Sequence, residues 1–197
     1  MTINVKIDKD SIAKKIANST SLRFKGWQLA ERRASILFKS RKNAMLQAFA
    51  AHPVTQEIEG GTGASNISNT LGGYGNLFTF IGFQDGTRPT KELNQILLED
   101  TQMSRGRALK LAWQFKITYP SQEKIEKNTP LPWESGNSWA YGIEKGISGF
   151  GQYMKRNSIR SRSGGGLQSS SIIRSGAFGK VPYISNIIEK FKNSFKQ

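Results

Sequence analysis

The segment Arg107-Ala-Leu-Lys-Leu-Ala-Trp-Gln-Phe-Lys-Ile-Thr-Tyr119 carries the clearest secondary-structure pattern in the chain. Its apolar residues alternate with polar ones from Leu109 to Tyr119, which predicts a β-strand with one face on a hydrophobic core and the other in water. Two more strands are predicted, a short alternating one at residues 3–7 and one at residues 76–83 that is apolar enough for burial on both faces. Together they predict a small sheet.

Helical periodicity dominates the sequence on both sides of these strands. Apolar residues recur at three- and four-residue spacing over residues 27–49, which predicts a long helix that His52-Pro53 ends, since a residue before proline disfavours the helical conformation. Shorter helices are predicted after Thr90 as N-cap, at residues 139–145 and at residues 184–195. The fold class predicted is α+β: a small antiparallel or mixed β-sheet packed by a long N-terminal helix and a C-terminal helix.

Long glycine-rich loops interrupt this pattern. Residues 60–75 contain six glycines with Asn and Ser, and structureless loops of that length are usually functional or mobile. We expect one domain over residues 1–197. It would comprise an N-terminal strand and helix arm (1–26), a core (27–145), a basic Gly/Ser-rich loop or arm (146–180) and a C-terminal helix (181–197).

The formal net charge of +15 is concentrated at the two ends of the chain. Residues 1–50 contain 11 Lys/Arg and 3 Asp/Glu (+8), residues 51–150 contain 9 and 10 (−1), and residues 151–197 contain 9 and 1 (+8). Small soluble domains ordinarily carry a net charge of roughly 2–8. The excess favours a nucleic acid or an acidic protein surface as partner, and the alternative is a domain kept dispersed by its charge.

The sequence lacks the residue groupings that covalent or metal chemistry needs. The chain has no cysteine and a single histidine, His52, which cannot form a metal site alone. The acidic pairs Glu57/Glu59 and Glu123/Glu126 lie in segments expected to be exposed, and the glycines around residue 73 do not form a phosphate-binding motif. We therefore expect no enzyme activity, no cofactor, no metal and, without an apolar run of about 18 residues, no membrane span.

Residues 155–174 are the charged part of the predicted loop or arm 146–180 and the strongest binding feature of the sequence. We call them the basic arm. Guanidinium groups on a Gly/Ser-rich backbone can neutralise phosphates without reading base sequence. The alternatives are a solvated loop, or a segment that pairs with acidic groups of a neighbouring subunit such as Glu57, Glu59 or Asp85. The residues expected to contact DNA or an acidic surface are Lys155, Arg156, Arg160, Arg162 and Arg174.

Several segments, in their order along the chain, resemble neck or tail-completion proteins, the head–tail connectors of tailed bacteriophages. They are His52-Pro-Val-Thr-Gln-Glu-Ile58, Ala64-Ser-Asn66, Thr70-Leu-Gly-Gly-Tyr-Gly-Asn-Leu-Phe78, Phe80-Ile-Gly-Phe83, residues 140–150 and Arg162-Ser-Gly-Gly-Gly-Leu-Gln168. The resemblance covers roughly residues 30–190 and leaves out the first 26.

This resemblance implies a structural virion protein of α+β fold, without cofactor or activity, in the neck between capsid and tail. It implies a homo-oligomeric ring, of six or twelve copies, around the DNA channel, joining portal or adaptor proteins to tail tube or tail terminator proteins after assembly in the host cytoplasm. Non-specific double-stranded DNA would lie in the lumen. The residues expected to contact a neighbouring subunit or partner are Asn66, Leu71, Tyr74, Asn76, Phe150 and Gln168.

Two other functions stay open. A sequence-neutral nucleic-acid-binding protein would bind DNA as a monomer, with steep salt dependence. An enzyme without a recognisable signature, such as a nuclease, would depend on a divalent metal and on a carboxylate such as Glu57, Asp85 or Glu144.

Overall fold

A computed structural model of the chain describes Lys14 and residues 18–71, 75–108, 113–132, 134–145 and 181–196. The fold is mixed α+β, as predicted, with two small antiparallel sheets of two strands each. The helices are α1 (Thr20–Ala50), α2 (Pro53–Glu59), α3 (Leu77–Ile81), α4 (Pro89–Asp100), α5 (Gln122–Lys127), α6 (Trp139–Lys145) and α7 (Ile184–Asn193). The strands are β1 (Gln102–Ala108), β2 (Trp113–Thr118), β3 (Pro130–Leu131) and β4 (Glu134–Ser138). None of the helices described is both long and apolar enough to cross a membrane.

The chain divides into two compact units. The first unit contains α1 as far as Arg41 together with residues 102–118, which form the hairpin of β1 and β2. The second unit contains residues 42–101 and the described residues from Tyr119 onward.

In the first unit, aromatic side chains join the hairpin to α1. The Trp27 ring stacks on Phe115 with centroids 5.5 Å apart and meets Trp113 edge-on at 6.2 Å. Gly26, in the interior of the helix, allows this approach, since a Cβ there would lie 2.7 Å from the Trp113 indole. The Arg105 guanidinium adds a two-pronged ion pair with the Glu31 carboxylate, at 2.8 and 2.9 Å.

The prediction of one strand over residues 107–119 is wrong, because the chain reverses direction within it. Ala108 pairs with Trp113, so residues 107 and 108 end β1 and residues 113–118 form β2. Side chains of β2 alternate between half-buried and exposed as predicted. Alternation persists on both sides of a reversal, and residues 109–112 (Leu-Lys-Leu-Ala) contain no glycine, proline or asparagine that would have indicated a turn.

In the second unit, a chain of aromatic contacts runs through the core. Phe78 contacts Phe83 (centroids 5.5 Å apart), Phe83 meets Trp139 edge-on (5.8 Å), and Trp139 contacts Tyr183 (6.5 Å), which stacks on Phe49 (6.0 Å). Aliphatic residues of α2, α3, α4, α6 and α7 surround these rings and are buried as well. Elements far apart in sequence therefore share one hydrophobic core.

Helix α3 replaces the strand predicted over residues 76–83. The Asn76 side chain caps its N-terminus by accepting from the backbone N–H of Thr79 at 2.9 Å, and Gly82 ends it in the left-handed conformation (φ 86°). Burial of Leu77, Phe78 and Ile81 follows helical spacing. An apolar run this short fits a buried strand and a buried helix equally well, and here the two caps decide for the helix.

The remaining helix predictions have mixed outcomes. The long helix ending before His52-Pro53 is confirmed, as are α6 over residues 139–145 and a C-terminal helix starting at Ile184. Thr90 does not cap α4, because the helix begins at Pro89 and Arg88 is the N-cap residue. The strand predicted at residues 3–7 lies outside the described residues.

We expect Gly106→Ala to destabilise the hairpin by about 1–3 kcal/mol, because an added Cβ would lie 2.8 Å from the Gln114 carbonyl oxygen, a backbone atom that cannot rotate away. Urea unfolding followed by tryptophan fluorescence measures the change, since Trp27 and Trp113 lie in the first unit. Gly63→Ala is the matched control, because nothing lies within 4 Å of its added Cβ. Equal stability of the two variants would contradict the expected clash.

Candidate functional site

One buried carboxylate binds the glycine-rich loop, residues 60–75, which carries three of the six predicted contact residues. Glu57, on α2, is fully buried, and its Oε1 accepts a hydrogen bond from the backbone N–H of Leu77 at 2.7 Å. Its Oε2 accepts from the backbone N–H of Ser68 at 2.9 Å. The expectation that Glu57 is exposed is therefore wrong, since the loop folds over it and supplies the donors that a buried carboxylate requires. Glu59 is exposed, as expected.

Asn76 closes the same loop from its far end. The side-chain Nδ2 donates to the carbonyl oxygens of Thr62 and Ala64, each at 3.1 Å, while Oδ1 accepts from both the backbone N–H and the hydroxyl of Thr79. One side chain thus connects the start of the loop to the first turn of α3. Asn76 is 5% exposed, so its side-chain hydrogen bonds are made within the chain.

The other predicted contact residues take different positions. Leu71 is 2% exposed and lies in the core. Asn66 is half-buried, and its side-chain amide atoms are buried without a hydrogen-bond partner among the described residues. Ile67, which sequence reasoning missed, is 53% exposed and projects an aliphatic side chain from the loop. The only sequence signal for it was an isoleucine between the polar residues Asn66 and Ser68.

The rest of the predicted site lies outside the described residues. This part comprises the contact residues Tyr74, Phe150 and Gln168 and the basic residues Lys155, Arg156, Arg160, Arg162 and Arg174.

Hydrogen bonds join the residues that precede segment 146–180 to those that follow it. The backbone N–H of Val181 donates to the Ile143 carbonyl oxygen at 3.5 Å, and the backbone N–H of Ser185 donates to Glu144 Oε1 at 2.7 Å. Tyr183 is fully buried, and its hydroxyl is hydrogen-bonded to that of Thr55 at 2.7 Å. Burial raises the pKa of Tyr183 well above its usual range, so its hydroxyl stays protonated.

Both ring nitrogens of His52 have backbone hydrogen-bond partners. Its Nδ1 accepts from the backbone N–H of Val54 at 3.3 Å and caps α2, while Nε2 lies 3.2 Å from the Pro182 carbonyl oxygen. This arrangement requires the neutral tautomer with its proton on Nε2. Burial lowers the pKa of His52, the hydrogen bond to Pro182 opposes that effect, and the nearby positive charge of Lys190 lowers the pKa further.

We expect Glu57→Gln to lower the free energy of unfolding by about 1–3 kcal/mol, because an amide offers one acceptor oxygen where two backbone N–H groups need one each. The amide NH₂ would then face a backbone donor. Urea unfolding followed by circular dichroism measures the loss. Glu123→Gln, an exposed position on α5, is the matched control. A Glu57 variant as stable as this control would show that the buried carboxylate is not needed.

We expect acid to destabilise the fold through His52. Because the folded-state pKa is lowered, the unfolded chain binds the proton more readily, and stability present above pH 6.5 is lost as the pH falls through the folded-state pKa. His52→Asn keeps a capping acceptor and removes the titration, so its stability should fall less over the same interval. Since His52 is the only histidine, the ring protons in an NMR titration report its pKa directly. A measured pKa of 6.5 or higher would contradict this assignment.

Two of the three carboxylates considered for catalysis already accept hydrogen bonds from backbone N–H groups. Both oxygens of Glu57 accept backbone N–H groups, and Glu144 accepts from Ser185, whereas Asp85 is exposed on a turn. Among the described residues, no three His, Asp or Glu side chains are grouped so as to hold a metal ion. Comparisons with protein-family models, with curated proteins and with solved structures found no match to this chain.

Proposed function

We propose that this chain is a structural protein of the head–tail junction of a tailed bacteriophage and forms a ring around the DNA channel. The observation that carries the proposal is the ordered set of segments that resemble neck and tail-completion proteins. Those among residues 52–83 are joined in one hydrogen-bonded part of the second unit, through Glu57 and Asn76.

The described part of the glycine-rich loop supports this role through its hydrogen bonds. The backbone at Thr62, Ala64 and Ser68 is held by the side chains of Asn76 and Glu57, so little conformational entropy remains to be lost there when a neighbouring subunit binds. Ile67 offers an exposed aliphatic side chain on that fixed frame. In this proposal the loop contacts the adjacent subunit through Ile67, while Leu71 and Asn76 hold the loop in place.

The charge distribution supports a lumen that contains DNA. Each end of the chain carries +8, whereas residues 51–150 carry −1. Near-neutral surfaces can approach each other between subunits, while cations that face the channel neutralise phosphates irrespective of base sequence. In this proposal the basic arm faces DNA or the acidic surface of an adjacent ring.

One observation favours a sequence-neutral nucleic-acid-binding protein as the second candidate. In the first unit, an open cavity of about 430 Å³ is lined by Trp27, Trp113 and Phe24 together with Arg23 and Arg105. Aromatic faces beside guanidinium groups are the common platform for stacking the bases of single strands. This function requires no oligomer.

Electron microscopy of the purified chain at low and high concentration tests the proposal. Closed rings with a central hole wide enough for duplex DNA are the expected result. Monomers at every concentration that bind DNA tightly at low salt and release it at high salt would overturn the ring and support the second candidate.

We expect Ile67→Asp to reduce ring formation, because a carboxylate would replace apolar area at the proposed subunit contact. The unfolding midpoint should stay unchanged, since the side chain is 53% exposed. Leu98→Asp is the matched control, at an apolar side chain of α4 that is 47% exposed. Sedimentation velocity measures the oligomer fraction. Rings that form equally well from both variants would remove Ile67 from the interface.

A further inference from the structure

Helix α1 exposes a row of aliphatic side chains that the fold of the described residues does not use. Leu22, Leu29 and Ile36 are 47%, 53% and 61% exposed. They are spaced seven residues apart, and seven residues bring a helix back to within about 20° of the same direction. At 1.5 Å per residue the row is roughly 21 Å long. We call these three residues the apolar row.

Cations lie along both sides of the apolar row. Lys25, Arg32 and Lys39, the basic row, each follow an apolar residue by three positions and are exposed. Arg33 lies on the other side, four positions after Leu29, and is also exposed. None of the basic row takes part in an ion pair among the described residues.

Within the part of the chain that the structure describes, no ion pair compensates the cations of this face. Glu31 is the only acidic residue of α1, and it lies on the opposite side of the helix. There its carboxylate is bound by both prongs of the Arg105 guanidinium. The face thus combines apolar area with uncompensated positive charge over its whole length.

From this pattern we propose that the exposed face of α1 binds an acidic amphipathic helix of another protein. Helices that pack side by side carry two apolar positions in each seven-residue repeat, and the apolar row supplies one of them with the basic row beside it. The partner helix would place its own aliphatic residues against the apolar row and its Asp or Glu side chains against the basic row. This inference does not rest on the proposed role in a phage neck.

The same pattern disfavours other occupants. Pairing with a second copy of this face would bring basic row against basic row or against Arg33, and like charges repel. A membrane surface calls for a continuous apolar face, whereas the exposed Leu37 is separated from the apolar row by Arg33. Nucleic acid would satisfy the cations but would place aliphatic side chains, which cannot stack on bases as aromatic rings do, against phosphates.

The test measures binding of the full chain to a labelled synthetic helical peptide by fluorescence anisotropy. The peptide has leucines at heptad spacing with glutamates on both sides, and a second peptide carries lysines in place of the glutamates. We expect the chain to bind the acidic peptide only. Changing Leu29 and Ile36 to Asp should weaken this binding roughly tenfold or more. The double change to Ala, the strongest helix former, tests the same side chains should Asp disturb the helix.

Reversing the charge of the basic row gives a more specific test. With all three of its residues changed to Glu, the chain should lose the acidic peptide and gain the basic one. The matched control changes three exposed lysines of the second unit to Glu and should bind like the unaltered chain. These are Lys91, Lys127 and Lys196.

Three results would overturn the proposal. One is no binding of the acidic peptide, or binding that is unaffected by the changes at Leu29 and Ile36. Another is an equal loss in the reversed chain and the lysine control, which would reflect net charge alone. The third is stronger binding of phosphatidylserine vesicles or of a DNA duplex through the same two rows, which would assign the face to a membrane or to nucleic acid.

Discussion

The buried Glu57 carboxylate is the constraint on which the second unit depends. A loop rich in glycine has few side chains to bury, so its order must come from hydrogen bonds rather than from apolar area. A buried charge is strongly unfavourable unless donors surround it, and the two backbone N–H groups bound to Glu57 come from residues 11 and 20 positions later in the chain. Burial of this carboxylate therefore depends on the positions of Ser68 and Leu77.

The hydrogen bond between Glu57 and Leu77 also connects the carboxylate to the aromatic core. The N–H of Leu77, which Glu57 accepts, is the first of α3, and this helix carries Phe78 into contact with Phe83. From Phe83 the contacts continue through Trp139 to Tyr183, the residue that anchors the chain where segment 146–180 ends. Glu57 and Tyr183 are thus connected through one packed core.

Sequence reasoning succeeded where a pattern fitted one structure and failed where it fitted two, or where the partners of a side chain were distant. The long helix followed from periodicity, and α6 and α7 followed from apolar residues at helical spacing. The hairpin reversal between Ala108 and Trp113 left alternation intact, and α3 was identical to a buried strand in its apolar content. The burial of Glu57 was not readable, because it depends on where the loop places two of its backbone N–H groups.

In helix α1 the sequence pattern predicted one apolar side and did not indicate the other. Of the predicted stripe, Phe38, Met45 and Phe49 are buried and Leu37 is 45% exposed, and the helix also has apolar residues on its opposite side. Elements that pack on one side of a helix cannot cover the other, so burial of the stripe leaves the apolar row exposed. A partner that covers the row must supply apolar area and negative charge together, which is the composition of an acidic amphipathic helix and not that of duplex DNA.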